Sequence, residues 1–155
     1  MNPIFREAVE SLEPKFQQLI NSKPVTFDRL PSLMPERGIY LFSEGNTHLY
    51  VGRTNRLRNR LRAHCFASST HNTAAFAFRI ARHKTGRLRA SYRKEGSRAS
   101  LMQDEAFAAE FRAAKQRLSE MKIRYVEETD PIRQTLLEVY VAVVLKTPFN
   151  DFDNH

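Results

Sequence analysis

The sequence predicts an α+β fold, in which a small three-stranded sheet of mixed or antiparallel pairing is flanked by helices. Two observations support this: three short β-rich segments lie at residues 38–42, 48–51 and 121–126, and helical periodicity dominates the rest. At 155 residues, 41% of them hydrophobic, the chain is long enough to bury one core. We therefore expect a single domain spanning residues 1–155.

The N-terminal segment, residues 1–24, is predicted to pack a helix on that core. Apolar residues recur there at near-helical spacing over residues 1–21. They are Ile4, Phe5, Ala8, Val9, Leu12, Phe16, Leu19 and Ile20. Pro24, Pro31 and Pro35 predict an irregular stretch after the helix, which ends at Gly38.

The first two β-rich segments are predicted to form an antiparallel hairpin. They are joined by the small polar residues 43–47, which include Gly45. Thr54 or Asn55 can cap a following helix that runs to about Cys65. Residues 37–65 thus form a strand, strand and helix unit.

Residues 66–120 are predicted to be a basic helical insertion. Residues 74–84 and 104–121 have helical periodicity, and residues 86–100 between them are basic and rich in turn formers. Residues 121–150 then supply the third strand and a last helix. Asp130 and Pro131 are typical of a helix start, and this helix should reach about Lys146.

The positive charge is concentrated in one part of the chain. The net charge is +8, yet residues 53–98 carry 13 Lys and Arg against the single acid Glu95, so the remainder is net acidic. Focused charge of this kind predicts a polyanionic partner, whereas a merely solvated basic face is the alternative.

The protein is expected in the cytoplasm. The first 13 residues lack the apolar run of a signal peptide, and no stretch approaches the roughly 20 apolar residues of a membrane span. Cys65 is the only cysteine and cannot form an internal disulfide, which favours a reducing compartment.

Three basic side chains share one face of the helix after the hairpin. Arg56, Arg60 and His64 follow one another at four-residue intervals, beside an apolar stripe that includes Leu57 and Leu61. An arginine can donate two parallel hydrogen bonds to a phosphate, so this row suits a phosphate clamp.

Glu138 is a charged residue within an apolar run, residues 136–145. A carboxylate in such surroundings needs compensation, either from a salt bridge, for example to Arg60, or from a metal ion. A hard divalent cation suits one carboxylate together with waters and phosphate oxygens. Both interpretations remain open from the sequence.

Six positions together resemble the GIY-YIG nuclease family. The first signature is Gly38-Ile39-Tyr40, and the second is Tyr50-Val51-Gly52, with valine in place of the usual isoleucine. The family's helix arginine corresponds to Arg60, its frequent histidine to His64, its acidic metal ligand to Glu138 and its downstream asparagine to Asn150. The insertion at residues 66–120 is not explained by this resemblance.

The resemblance implies a metal-dependent endonuclease that hydrolyses phosphodiester bonds with one Mg²⁺ or Mn²⁺ ion. Glu138 would hold the ion, Arg60 would clamp the phosphate, and Tyr50 and Asn150 would support the site. Tyr40 is the leading candidate for the general base, with His64 as its competitor, because a phenol near pKa 10 needs a nearby cation to act as a base.

Basic residues after the second signature, together with Tyr92, are the predicted nucleic-acid contacts. They are Arg53, Arg56, Arg58, Arg62, Arg79, Arg82, Lys84, Arg87, Arg89, Tyr92, Arg93, Lys94 and Arg98. A basic segment interleaved with aromatic residues favours single-stranded or structured DNA over plain duplex, with RNA less favoured. Tyr92 is the better stacking candidate, since Phe76 and Phe78 fit a core better.

Two other functions are compatible with the sequence. One is a catalytically silent nucleic-acid-binding module, against which the intact set of six positions argues. The other is a nuclease toxin that is neutralised by an immunity partner. The sequence leaves the biological role and the oligomeric state open.

Overall fold

The computed structural model describes residues 1–87 and 97–153. The helices are α1 (Pro3–Glu10), α2 (Leu12–Asn21), α3 (Leu57–Cys65), α4 (Ala75–Thr85), α5 (Arg98–Gln103), α6 (Glu105–Ser119) and α7 (Pro131–Leu145). The strands are β1 (Gly38–Glu44), β2 (Thr47–Thr54) and β3 (Lys122–Glu127). A short 3-10 turn covers Phe27–Arg29.

The contacts divide the chain into two compact units. The first combines Met1–Arg60 with Met121–Asn150, and the second combines the described part of Leu61–Glu120 with the described residues after Asn150. Helix α3 contributes residues 57–60 to the first unit and residues 61–65 to the second.

The sheet of the first unit confirms the predicted fold class. Its strand order is β2-β1-β3, and both pairings are antiparallel. The hairpin turn is shorter than predicted, because Ser43 and Glu44 pair with His48 and Thr47 and leave Gly45 and Asn46 to reverse the chain. Gly45 has φ 60°, a left-handed conformation that glycine adopts without strain.

One core joins the sheet to two helices of the first unit. It contains Ile39, Leu41, Val51 and Val126 from the strands, Leu12, Phe16 and Leu19 from α2, and Leu137, Val141 and Ala142 from α7. The ring of Phe16 also packs edge-on against Tyr140, with centroids 5.3 Å apart. Helix α7, and Glu138 with it, is thereby held against the sheet.

The predicted N-terminal helix is divided into α1 and α2. Ser11 separates them, and its hydroxyl donates a 2.6 Å hydrogen bond to the carbonyl oxygen of Ala8. A serine side chain that bonds to the preceding turn competes with the helical backbone pattern, which periodicity alone does not show. Buried residues lie only in α2 of these two helices.

Helix α7 begins and ends with recognisable local chemistry. The carboxylate of Asp130 accepts a 2.8 Å hydrogen bond from the backbone N–H of Arg133, and Pro131 occupies the first turn, as predicted. The helix ends at Lys146, which has φ 51° and ψ 48°. This left-handed conformation is unfavourable for a residue with a Cβ atom.

Replacing Lys146 by Gly is expected to stabilise the first unit. Glycine avoids the left-handed strain at the helix end, so the free energy of unfolding should rise by about 1 kcal/mol. Urea denaturation of Lys146→Gly beside the wild type measures this. Lys146→Ala, which keeps the Cβ atom, should show no such gain, and an equal gain in both variants would contradict the explanation.

The second unit has an aromatic core. The ring of Phe78 on α4 packs edge-on against Phe107 and Phe111 of α6, with centroids 5.1 and 6.0 Å apart. Phe76 is also fully buried. Both phenylalanines of α4 therefore serve the core, which was the preferred interpretation for them. Lys115 Nζ donates to the carbonyl oxygens of Ala67 and Ser69, at 2.5 and 2.8 Å.

Cys65 is expected to resist thiol reagents in the folded protein. Its side chain is buried, and burial raises the pKa of the thiol to about 12. The thiolate fraction at neutral pH should then be roughly 10³-fold below that of an unperturbed cysteine. Alkylation followed by mass spectrometry, in buffer and in denaturant, measures the protection. Labelling at the same rate in both conditions would contradict it.

Within the described ranges, the chain has no helix long and apolar enough to cross a membrane.

Candidate active site

The first unit brings together five of the six predicted catalytic residues. Tyr40 lies on β1, Tyr50 on β2, Arg60 on α3, Glu138 on α7 and Asn150 in the segment after α7. Pairing of β1 with β2 brings the two signature tripeptides to neighbouring strands of the sheet. Residues that are as much as 110 positions apart in sequence thus belong to one unit.

Gly52 makes room for the side chain of Tyr40. The two residues are partners across the β1–β2 pairing. A Cβ atom on Gly52 would overlap the hydroxyl end of the Tyr40 ring and would lie 2.9 Å from its Cε1. The phenol therefore lies directly across the glycine backbone, which explains why the second signature ends in glycine.

Gly38 permits a similar close approach on the other side of β1. A Cβ atom there would overlap the carbonyl oxygen of Val126 and would lie 3.2 Å from the Cα of Glu127. Since these are backbone atoms of β3, they cannot move aside as a side chain can. The first signature glycine therefore holds β3 close to β1.

Arg60 connects the two signature tyrosines. Its Nε lies 3.4 Å from the hydroxyl oxygen of Tyr40, and Tyr50 also hydrogen-bonds to the guanidinium. The two tyrosine rings have centroids 6.3 Å apart. A cation is thus held at the two hydroxyl groups, where it can contact an anionic ligand.

Burial raises the pKa of Tyr40 well above its usual range, and the nearby Tyr50 adds to this. Arg60 acts in the opposite direction, and Glu138 acts in the same direction as burial. In the protein alone, Tyr40 is therefore a neutral phenol at physiological pH. It can donate a hydrogen bond, but it needs additional positive charge to become a base.

Glu138 forms an ion pair with Arg53, 3.0 Å from its Oε2 to the arginine Nε. The exposed fraction of the side chain is 19% for Glu138 and 48% for Arg53. The sequence suggested Arg60 as a salt-bridge partner of Glu138, and the structure corrects this to Arg53. Arg60 instead contacts the hydroxyl groups of Tyr40 and Tyr50.

The surroundings of Glu138 favour its neutral form. Burial raises the pKa of this carboxyl group, and Arg53 only partly offsets the effect. A group that is costly to keep charged gains much from a bound cation, which restores the charged form.

The donor set fits a hard divalent cation. Across residues 1–87 and 97–153, no three His, Cys, Asp or Glu side chains gather as a metal cluster. Among the predicted catalytic residues, Glu138 is the carboxylate that could hold such an ion. Mg²⁺ and Mn²⁺ accept one carboxylate with waters and phosphate oxygens, whereas a structural zinc site needs four protein ligands.

Asn150 extends the hydrogen-bond pattern of β2. Its amide oxygen accepts from the backbone N–H of Val51 at 2.9 Å, and its amide nitrogen donates to the carbonyl oxygen of Val51 at 2.8 Å. The side chain thereby pairs with an edge strand as a neighbouring strand would. Asn150 supports the backbone between Tyr50 and Gly52.

Thr147 is a supporting residue that the sequence interpretation missed. Its buried hydroxyl donates a 2.7 Å hydrogen bond to the amide oxygen of Asn150. The bond selects the orientation of the amide, so that the nitrogen faces the carbonyl oxygen of Val51. The sequence signal for this role is the position of Thr147, just after a predicted helix and three residues before Asn150.

His64 is assigned to the second unit, unlike the other predicted catalytic residues. Its side chain is fully buried, and the ring packs edge-on against Phe76 at a centroid distance of 6.4 Å. These contacts describe a packed side chain in a helical core. Its predicted role as a base stays a prediction.

Several predicted nucleic-acid contacts have structural partners. Arg58 donates to the carbonyl oxygens of Pro31 and Ser32, and Arg82 donates to that of Arg87 at 2.9 Å. Further pairs are Arg87 with Asp104 at 2.7 Å, Lys84 with Glu110 at 3.9 Å and Arg98 with the carbonyl oxygen of His71 at 3.0 Å. These basic side chains therefore stabilise loops and helices through contacts within the protein.

The other predicted contacts differ in exposure. Arg56 and Arg62 are exposed, although the guanidinium of Arg62 lies 4.6 Å from the centroid of the Phe66 ring, and Arg79 is half-buried. Arg89, Tyr92, Arg93 and Lys94 lie outside the described residues. Arg53 and Arg56 are thus the exposed members of the predicted set in the first unit, and Arg58 is partly buried.

The comparison with protein families identifies a nuclease domain in this chain. The profile of the GIY-YIG catalytic domain matches residues 36–132. The chain belongs to the GIY-YIG family, whose members are nucleases that generally use divalent metal ions. No curated protein and no solved structure matches the chain.

The matched range includes Tyr40, Tyr50 and Arg60 but ends before Glu138 and Asn150. The placement of those two residues therefore comes from the tertiary structure, through the Arg53 ion pair and the hydrogen bonds to Val51.

Proposed function

We propose that this protein is a Mg²⁺- or Mn²⁺-dependent endonuclease that hydrolyses phosphodiester bonds of DNA, with single-stranded or structured DNA preferred over plain duplex. The observation that carries the proposal is the cluster of Arg60 with the Tyr40 and Tyr50 hydroxyl groups, in the same unit as a mostly buried Glu138. A cation donor, two hydroxyl groups and a carboxylate are the groups that phosphodiester hydrolysis requires.

Arg60 binds the scissile phosphate in this mechanism. Its Nε faces Tyr40, and the guanidinium carries further N–H donors for phosphate oxygens. Charge builds up on those oxygens as water attacks, and a guanidinium fixed by the tyrosines stabilises it without reorganising. The tyrosines therefore act first by positioning the arginine.

Glu138 would hold the divalent cation by its carboxylate. When bound there, the cation supplies charge stabilisation at the phosphate and the leaving oxygen, and lowers the pKa of adjacent acidic groups. Asn150 and Thr147 keep the β2 backbone in register, so that Arg53 stays in place beside this carboxylate and Tyr50 beside Arg60.

Tyr40 is the group that we assign to accept the proton of the attacking water, at its hydroxyl oxygen. Because burial raises the pKa of Tyr40, the phenolate form is scarce at neutral pH and increases as the pH rises. Cleavage rates should therefore climb through neutral pH, by up to about tenfold per pH unit. A base with the ordinary histidine pKa would instead give a plateau above about pH 7.

The pH dependence of single-turnover cleavage checks this assignment. Wild type and Tyr40→Phe should be compared at saturating metal, between pH 6 and pH 9. A plateau of the cleavage rate that starts near pH 7 in the wild type would assign the role of general base to His64. A rise with pH that is lost in Tyr40→Phe supports Tyr40.

The preference for single-stranded or structured DNA rests on the sequence of the basic segment with Tyr92 and on the exposed Arg56, four residues before Arg60. Backbone attraction from cations and stacking on an aromatic ring do not require a duplex.

A substrate panel tests the proposal directly. Matched labelled single-stranded DNA, duplex DNA, branched DNA and RNA are incubated with Mg²⁺, with Mn²⁺ and with chelator, alongside the Glu138→Gln protein. Metal-dependent cutting of single-stranded or branched DNA, absent in the variant, is the expected result. Tight, salt-sensitive binding without cutting in any condition would instead indicate a binding module.

A further inference from the structure

The ion pair between Arg53 and Glu138 occupies the oxygen that a metal ion would need. Arg53 Nε lies 3.0 Å from Glu138 Oε2. A divalent cation bound by the same carboxylate would bring two like charges within a few ångströms of each other in a partly buried site. Such a contact is unfavourable by several kcal/mol at an effective dielectric of about 20. The guanidinium and the cation therefore exclude each other from this oxygen.

The two partners of the pair differ in their freedom to move. Glu138 lies on α7, which is packed against the sheet, and only 19% of its side chain is exposed. Arg53 lies near the end of edge strand β2, and 48% of its side chain is exposed. Arg53 is thus the partner that can swing away while the carboxylate stays in place.

Arg53 also lies next to the residues that face the phosphate in the proposed mechanism. It follows Gly52, which supports the Tyr40 ring, and Tyr40 in turn contacts Arg60. An arginine released at this point of β2 has a phosphate oxygen as an alternative acceptor, because a guanidinium binds phosphates as well as carboxylates through paired hydrogen bonds.

We propose that Arg53 couples substrate binding to metal binding, by holding Glu138 in the metal-free protein and transferring to a backbone phosphate of the nucleic acid when the cation binds. This inference rests on the proposed function. In this proposal Arg53 is a positioning residue. When a substrate phosphate accepts the arginine, the Glu138 carboxylate becomes available to the metal ion.

The transfer is energetically feasible because the arginine side of the pair is open to solvent. With 48% of the Arg53 side chain exposed, water partly screens its attraction to Glu138 and can solvate the guanidinium as it leaves. A substrate phosphate favours the state in which Arg53 has left Glu138, and a cation favours the same state. Two ligands that favour one state bind with positive coupling, and the coupling must be equal in both directions.

The first measurement is Mn²⁺ binding in the absence of nucleic acid. Calorimetry and the electron paramagnetic resonance signal of free Mn²⁺ both monitor the titration. Arg53→Gln removes the competitor, so we expect its Mn²⁺ affinity to be roughly tenfold higher than that of the parent. Arg56→Gln is the matched control, because it removes the same charge from an exposed arginine that has no ion pair to Glu138 among the described residues. It should change the affinity less than twofold. A structural defect in Arg53→Gln would lower metal affinity, which is the opposite of the expected change.

The second measurement repeats the titrations with a single-stranded oligonucleotide, using proteins that all carry Tyr40→Phe to slow cutting. DNA should raise the Mn²⁺ affinity of the parent, and Arg53→Gln should reduce this enhancement at least about threefold. The enhancement of Mn²⁺ affinity that remains in Arg53→Gln comes from phosphate oxygens of the DNA that bind the cation directly. Conversely, Mn²⁺ should strengthen DNA binding less in Arg53→Gln than in the parent.

Different failures have different meanings. If the parent binds Mn²⁺ through Glu138 and Arg53→Gln binds it no more tightly, the role of Arg53 is overturned and the proposed function stands. If the parent and Glu138→Gln bind Mn²⁺ equally, with and without DNA, the metal assignment itself fails and the inference fails with it.

Discussion

Glu138→Gln should lower the rate of metal-dependent cleavage by at least about 10³-fold. Glutamine keeps the size of the side chain but loses the charge that holds the cation, and a bound cation contributes several kcal/mol to the stabilisation of a phosphodiester transition state. Single-turnover cleavage at a range of Mg²⁺ and Mn²⁺ concentrations measures the effect. Raised metal concentrations should not restore the wild-type rate.

Binding and stability separate this effect from misfolding. Burial already disfavours the charged form of Glu138, so a neutral amide at this position should cost the fold little. DNA affinity in chelator should remain within a fewfold of the wild type, because Arg60 and the other cations are unchanged. Glu127→Gln, at an exposed carboxylate on β3, is the matched control and should cut normally. Equal cleavage by Glu138→Gln and wild type would show that Glu138 is not the metal ligand.

Gly52→Ala should lower kcat/KM by about 10²-fold. The added methyl group would overlap the hydroxyl end of Tyr40, whose ring must then leave its place across the β2 backbone. Arg60 loses a partner as a result, and displacement of a catalytic group by about 1 Å can cost this much. The free energy of unfolding should fall by about 1–3 kcal/mol, as in other overpacked sites.

A variant that loses stability elsewhere provides the comparison. Leu19→Ala removes a fully buried side chain on α2, outside the two signature tripeptides, and should cost about 2–5 kcal/mol. Measured well below its unfolding temperature, Leu19→Ala should retain most of its cleavage activity. If the two variants lost activity in proportion to stability, displacement of Tyr40 would not be the cause.

The partners of the basic residues limit how the charge cluster should be interpreted. Arg58, Arg87 and Arg98 each bond to a carbonyl or carboxylate oxygen of the protein. A count of cations along a sequence therefore overestimates the number that a nucleic acid can reach. Among the predicted contacts in the first unit, Arg53 and Arg56 are exposed, and Arg53 is paired with Glu138.

The sequence by itself determined the fold class and predicted which residues form the site. Alternation and periodicity located the strands and most helices, because these patterns follow from local backbone geometry and from the need to bury one face. The order of the signature residues predicted membership of the GIY-YIG family, which the match over residues 36–132 confirmed. Local cap chemistry also predicted the start of α7 at Asp130 and Pro131.

Only the tertiary structure decided which of these residues touch. Glu138 pairs with Arg53 rather than Arg60, and Asn150 binds the backbone of Val51, almost one hundred residues away in sequence. Ion pairs and side-chain hydrogen bonds depend on positions within a few tenths of an ångström, and those positions are set by how α7 packs on the sheet. Sequence spacing carries no information about that packing, because the side-chain contacts that fix it come from distant parts of the chain.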